Sequence, residues 1–307
     1  MSSASIVYFS GTGNTKIIAE LFRESFEQNG YAARTFSLSV FDGQNEIDYD
    51  ADFIGIGYPI HAFNAPEIVL KAAKLFPKRD KRLPKKKVFV FKTSGEPVRM
   101  SDVSSLKLRS ILKRRGYEIS CEFQYVMPYN IIFRHTQARA HRMLETAKKL
   151  VPIDCKTVLN GGRELPRYPA FGGLVSWVLR IEHPGAHTIG KYFKTADTCT
   201  ACGYCAKTCP VGNIELSEDG DGNKKIKFGK KCIICMHCAF ACPHDAVIPG
   251  ILKNWKVNGA YSFEKPDREE HDDHADYCKK AYDRYYVNAE KKISNARKSE
   301  TDENGAE

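Results

Sequence analysis

Two runs of four cysteines constrain this chain more than any other feature. The first is Cys199, Cys202, Cys205 and Cys209, followed by Pro210; the second is Cys232, Cys235, Cys238 and Cys242, followed by Pro243. Both read C-x2-C-x2-C-x3-C-P. Thiolates are soft ligands, and the short spacing lets one loop reach three corners of a cube. The pattern predicts two [4Fe–4S] clusters. Zinc is the rival for paired cysteines, but three evenly spaced cysteines plus Cys-Pro, twice over, fit it badly. Between the runs, NIELSEDGDGNKKIKF (213–228) reads as a hairpin with a Gly/Asp-rich turn. Its DGDG lacks the spacing and terminal Glu of a calcium loop.

The other end of the chain has a different grammar. A short apolar run, ASIVYF (4–9), leads into SGTGNT (10–15) and then a segment with Ile17, Ile18, Leu21, Phe22 and Phe26 at helical spacing, stopped by Gly30. Strand, glycine turn and helix make an anion site, because the glycines let backbone approach and the helix start offers free N–H groups. Ser10, Gly11, Thr12, Gly13, Asn14 and Thr15 are the candidate phosphate contacts. Further strands are expected at 31–37, 52–58, 87–92 and 117–126, and helices at 65–76, 101–115 and 137–151. Five strands alternating with helices predict an open parallel sheet with ligands beyond the strands' carboxyl ends.

The SGTGNT loop in this setting resembles the phosphate loop of flavodoxins, over roughly the first 150 residues, about one domain. The resemblance implies a flavodoxin-like doubly wound five-stranded sheet binding FMN. Two later loops would then flank the ring: Tyr58, Pro59, Ile60, His61, Phe63 and Asn64 after the third strand, and Thr93, Ser94, Gly95 and Glu96 after the fourth. Tyr58 and Phe63 are either stacking or packing residues, and His61 reads as a loop histidine rather than a base. Neither loop carries the Trp that many flavodoxins stack on the ring, and the domain is basic where typical flavodoxins are acidic. A structural turn or another phosphorylated ligand are the alternatives for the glycine loop.

The cysteine runs resemble bacterial-type two-cluster ferredoxins, a small α+β domain. That resemblance implies crossed ligation, with Cys242 joining Cys199, Cys202 and Cys205, and Cys209 joining Cys232, Cys235 and Cys238. The whole chain looks like a fused flavodoxin and two-cluster ferredoxin of anaerobes. The expected layout is 1–155 FMN domain, 156–195 connector, 196–250 ferredoxin and 251–307 a helical extension ending in a disordered tail.

Of the formal net charge of +10, residues 1–160 carry almost all. KRDKRLPKKK (78–87) and KLRSILKRRG (107–116) concentrate it. A solvated face is the plain reading, and docking of an acidic redox protein the functional one. No recognition motif or stacking aromatics accompany the charge, so nucleic acid is not expected. The longest apolar stretch, AFGGLVSWVLRI (170–181), is too short to span a membrane. It is read as a short helix, 174–182, ended by His183-Pro184-Gly185 and packed on one of the domains rather than on a membrane, a peripheral membrane contact being the alternative that nothing in the sequence supports. The N-terminus shows no leader pattern, and eleven cysteines without one point to metal ligation in the cytoplasm. Cys121 and Cys155 read as inert thiols. No acid–base dyad or nucleophile stands out. The chain is read as an electron carrier serving a partner redox protein. The alternatives are an FMN-dependent reductase fed by the clusters and a cluster-based redox sensor.

Overall fold

The computed structural model describes residues 2–39, 47–218, 220–267 and 273–304. In the first half β1 (Ser3–Tyr8), α1 (Asn14–Gln28), β2 (Ala32–Ser37), β3 (Phe53–Pro59), α2 (Glu67–Leu75) and β4 (Lys86–Ser94) follow in turn. A 3-10 segment (Arg99–Ser105) then leads into α3 (Leu106–Arg114), β5 (Tyr117–Val126) and α4 (Gln137–Leu159). The strands form one parallel sheet in the order β2-β1-β3-β4-β5, the flavodoxin-like doubly wound arrangement. Helices cover both faces, so the central strands are apolar on both sides.

On one face Ile18, Phe22 and Phe26 of α1 meet Phe89, Phe91 and Phe123. The Phe22 ring lies 5.1 Å from those of both Phe89 and Phe91. Gly55 and Gly57 make that packing fit, since a side chain at either would run into Phe89 or Phe91. On the other face Val69, Leu70 and Ala73 of α2 and Leu108, Ile111 and Leu112 of α3 pack on Ile54, Ile56, Val88 and Val90.

In the second half come α5 (Gly172–Leu179), α6 (Glu182–Gly190), β6 (Lys194–Thr195), α7 (Tyr204–Lys207), β7 (Ile214–Glu218), β8 (Lys224–Phe228), α8 (His237–Phe240) and β9 (Val247–Ile248). A 3-10 turn (Gly250–Trp255), a second (Asp273–Cys278) and α9 (Lys279–Asn304) complete the chain. β6 pairs antiparallel with β9, and β7 with β8, the hairpin expected at 213–228.

Three boundaries differ from the sequence reading. α4 does not stop near 151 but runs through Pro152, because Val151, Cys155 and Val158 are buried beneath it and one missing N–H does not undo that face. The connector holds two helices rather than one. Pro184 sits in the first turn of α6, where its absent N–H costs nothing. The end of the chain, expected to be disordered, continues as α9 to Asn304. Tyr282, Tyr286 and Ala289 form its buried face. His271, at helical spacing with Cys278 and Tyr282 in the sequence, Asp219 of the DGDG turn and residues 305–307 lie outside the described residues. Cys121 and Cys155 are both fully buried.

The second half is laced to the first. Arg134 donates to the carbonyls of Asn258, Gly259 and Ala260 at 2.7–3.0 Å, and the Tyr261 hydroxyl to Tyr129 O at 2.8 Å. The basic stretches at 78–87 and 107–116 flank the amino ends of β4 and β5, where Arg79 N–H reaches Arg115 O and Lys86 N–H reaches Gly116 O. They stand at the opposite end of the sheet from the loops described next.

Candidate functional site

The loops after β1, β3, β4 and β5 enclose a cavity of about 440 Å³ at the carboxyl ends of the strands, within the range of small-ligand sites. Ser10, Gly11, Thr12, Asn14 and Thr15 form one wall. Gly13 precedes α1 at φ 100°, a left-handed conformation that suits glycine. No side chain caps this helix start and its first turn holds no acid, so its N–H groups and positive end are open to an anion. Two of the expected side-chain contacts are already engaged. Asn14 Nδ2 donates to Pro128 O at 2.7 Å, and the Thr15 and Thr93 hydroxyls share a 2.7 Å bond. Ser10 Oγ accepts the Gly13 N–H at 3.1 Å.

Pro59, Ile60, His61 and Phe63 line the cavity, as do Thr93, Ser94, Gly95 and Glu96. Tyr58 and Asn64 do not. The Tyr58 ring is 0% exposed, packed under α2 and α3 with its hydroxyl toward Ser104. It is a core residue and presents no stacking face. Asn64 is also buried: its amide donates to Ala62 O and Ser176 O, both at 3.1 Å, and accepts the Ser176 hydroxyl at 2.8 Å. It ties the loop to α5. Ala62 and Phe63 both take left-handed φ values there, 41° and 58°, closed by the His61–Asn64 bridge.

Sequence reasoning missed the other walls. Met127, Pro128, Tyr129, Asn130, Ile131 and Ile132, after β5, form one. Trp255 and Leu252 arrive from beyond the cysteine runs, and Ile132 N–H donates to Trp255 O at 2.8 Å. A tryptophan thus reaches the cavity wall from the far side of the chain, where no local motif signals it.

The cysteine loops repeat in backbone as well as sequence. Left-handed residues Ala201, Gly203 and Gly212 in the first are matched by Ile234, Met236 and Asp245 in the second, each at the same offset as the cysteines. Gly203 and Met236 start the short helices α7 and α8. The thiols gather across the runs. Burial pushes Cys205 up to about 11, and its thiol neighbours are Cys199, Cys202 and Cys242. Burial likewise raises Cys238, whose neighbours are Cys235, Cys232, Cys209 and, across the gap, Cys205. A bound metal reverses these shifts by holding the thiolate. Backbone N–H groups of Asn213, Ile234 and Ala246 point at Cys209, Cys232 and Cys242 Sγ at 3.2–3.4 Å, stabilising charge on sulfur. Among the described residues no three His, Cys, Asp or Glu side chains converge closely enough for a single ion.

The second cysteine loop borders the cavity. A Cβ at Gly11 would lie 2.7 Å from Cys235 O. Asn130 Nδ2 donates to that same carbonyl at 3.2 Å, and His237 Nδ1 bonds Gly11 O at 2.5 Å. Ile234 is a cavity wall, while Gly190 of α6 leaves room for Cys232. On the connector side, burial and His183 lower His61 to about 4, and burial and Glu67 raise Glu182 to about 7. His61 is therefore neutral at the cavity edge near neutral pH, while Glu182 is about half protonated there.

Comparison with known proteins agrees with these two halves. Residues 198–246 match the 4Fe-4S dicluster domain family. NADH-quinone oxidoreductase subunit I 2 of Symbiobacterium thermophilum is 37% identical over 59 residues, 17% of this chain and 25% of that protein. The chain thus spans about a quarter of that relative's length. Similar solved structures include a flavodoxin from the domain Archaea (15% identity, 52% of this chain and 99% of that one, TM-score 0.31). Two-electron reduced Megasphaera elsdenii flavodoxin is another (20% identity, 47% and 97%, TM-score 0.32). The fold itself rests on the strand order. This chain joins a flavodoxin-like α/β domain to a 4Fe–4S dicluster domain.

Proposed function

We propose that the chain passes electrons between an FMN in the strand-end cavity and two [4Fe–4S] clusters, and on to or from a partner redox protein. Cys232, Cys235, Cys238 and Cys209 would hold the cluster beside the flavin. Cys199, Cys202, Cys205 and Cys242 would hold the outer one. The observation that carries this reading is the contact between Gly11 and Cys235, which brings the phosphate loop against a cluster loop with no side chain between them.

Bound FMN takes two electrons together and releases them singly, and each cluster passes one at a time. The chain's residues supply the setting. Gly11, Thr12 and Gly13 offer backbone to the phosphate. Ile60, Phe63, Ile132 and Trp255 give the cavity apolar walls. Cys205 and Cys238 link the two cysteine groups. Cys202 and Tyr204 are exposed, which makes the outer group the exchange point for a partner. The basic stretches at the far end of the sheet act on an acidic partner during approach rather than as its seat.

The test is anaerobic purification with iron, sulfide and flavin quantified, followed by redox titration. The expected result is about eight iron atoms and one FMN per chain, with one-electron features from both clusters. Iron without flavin would sink the reading.

A further inference from the structure

α5 is a helix packed inside out. It turns its small residues inward: a side chain on Gly172 would collide with Val103, and Ser176 is 1% exposed and bonded to Asn64. Its large apolar residues point to solvent. Phe171 is 82% exposed, Leu174 59%, Trp177 66%, Val178 51% and Ile181 72%. Soluble helices bury such residues and expose the small ones, and clustered exposed apolar side chains mark an interaction site. Phe171 is also held at φ 60°, an unfavourable backbone for a bulky side chain, with its ring aimed outward.

The surroundings say what meets this face. The side chains project from a convex helix rather than lining a groove, which suits insertion better than capture of a partner's knob. Arg167, Lys191 and Lys253 are exposed in the connector and in the 3-10 turn that packs on α6. The connector's two acids are turned away: Glu164 is paired with Lys292 at 2.7 Å, and Glu182 is mostly buried near His61. No helix among the described residues is long and apolar enough to cross a membrane. Tryptophan, phenylalanine and leucine flanked by cations are the chemistry of a helix lying in a lipid interface.

We infer that Phe171, Leu174, Trp177, Val178 and Ile181 insert into the surface of an anionic lipid membrane and hold the protein there peripherally. This does not depend on the electron-transfer reading.

The test is flotation of the full-length holoprotein with phosphatidylcholine vesicles, with and without phosphatidylglycerol. The wild type is expected to float with the anionic vesicles and to fall at least tenfold in the neutral ones. Leu174→Asp with Trp177→Asp should lose at least tenfold of the anionic binding at unchanged iron content. Phe171→Gly should also weaken binding, and because glycine suits φ 60°, the loss cannot come from unfolding. Lys81→Glu with Lys85→Glu, in the distal basic stretch, should leave binding unchanged. Three outcomes overturn the inference. One is no flotation with either vesicle. A second is full binding by the Leu174/Trp177 variant, which would leave charge alone as the cause. The third is a lipid-free dimer that Trp177→Asp dissociates, which would make the face a contact between copies.

Discussion

At the scale of single residues, the charged groups behind the cavity decide most. Lys92 and Glu122 are both buried, 2.6 Å apart, with Ser105 on both carboxylate oxygens at 2.7 Å and Arg109 at 3.1 Å. Lys92 directly precedes the Thr93 loop, so the pair anchors the strand end. Glu122→Ala would strand a buried ammonium and should cost about 3–5 kcal/mol, read as a lowered unfolding midpoint. Glu182 behaves differently. Its carboxyl is raised from 4.5 to about 7, so the fold prefers it protonated. The stability this contributes is whole below about pH 4.5 and lost as pH climbs through about 7, a change on the order of 3 kcal/mol. Glu182→Gln should therefore gain on the wild type in thermal melts as pH goes from 5 to 8; parallel melts across that range would refute it. His61, lowered to about 4, adds nothing above its usual 6.5 and loses stability only below it. Single residues were legible where spacing alone carries meaning. The eight cysteines and Gly13 are of that kind. Tyr58 was not, because β3 is buried on both faces and a residue at its end looks the same whether it points into the core or over a ligand.

At the scale of elements, the proposed ligation has the two cysteine loops exchange partners. Cys209 closes the first run in sequence, yet its thiol is an electrostatic neighbour of Cys232, Cys235 and Cys238, as that crossing requires. Cys209→Ser should accordingly damage the cluster beside the flavin and spare the outer one, checked by electron paramagnetic resonance of the reduced protein. Loss of the outer signal alone would refute the pairing. The alternation of strands and helices was readable because each buried face repeats at its own period. The connector was not. AFGGLVSWVLRI scans as a helix with an apolar face to bury, and its small residues, Gly172 and Ser176, turned out to be the buried ones. Nothing in periodicity distinguishes an apolar helix facing a core from one facing outward. Pro152 misled in a similar way: it reads as a stop, but the tertiary contacts of Val151 and Cys155 outweigh one lost hydrogen bond.

At the scale of the whole molecule, the chain after the clusters borders the cavity and ties down its loops. Trp255 forms a wall, the tail carbonyls from Asn258 to Ala260 hold Arg134, and α9 returns across α4 with Lys292 bonded to Asp154 at 2.6 Å. Tyr277 from the 3-10 turn before α9 and Tyr129 from the loop after β5 both donate to Glu96, while Tyr282 of α9 donates to Gly95 O. The loop after β4 is thereby fixed from residues almost two hundred positions away. The extension thus ties down the loop after β4. Tyr277→Phe with Tyr282→Phe keeps both rings, and hence the packing of α9 on α4, but removes two donors to that loop. The loosened loop should lose on the order of 1 kcal/mol of order, or roughly fivefold in flavin affinity. Iron content should not change, because no cysteine loop touches either tyrosine's partners. Titration of flavin-depleted protein with FMN, followed by flavin fluorescence, reads the first quantity, and iron analysis the second. Unchanged flavin affinity would mean that the extension serves the stability of the sheet and not the site.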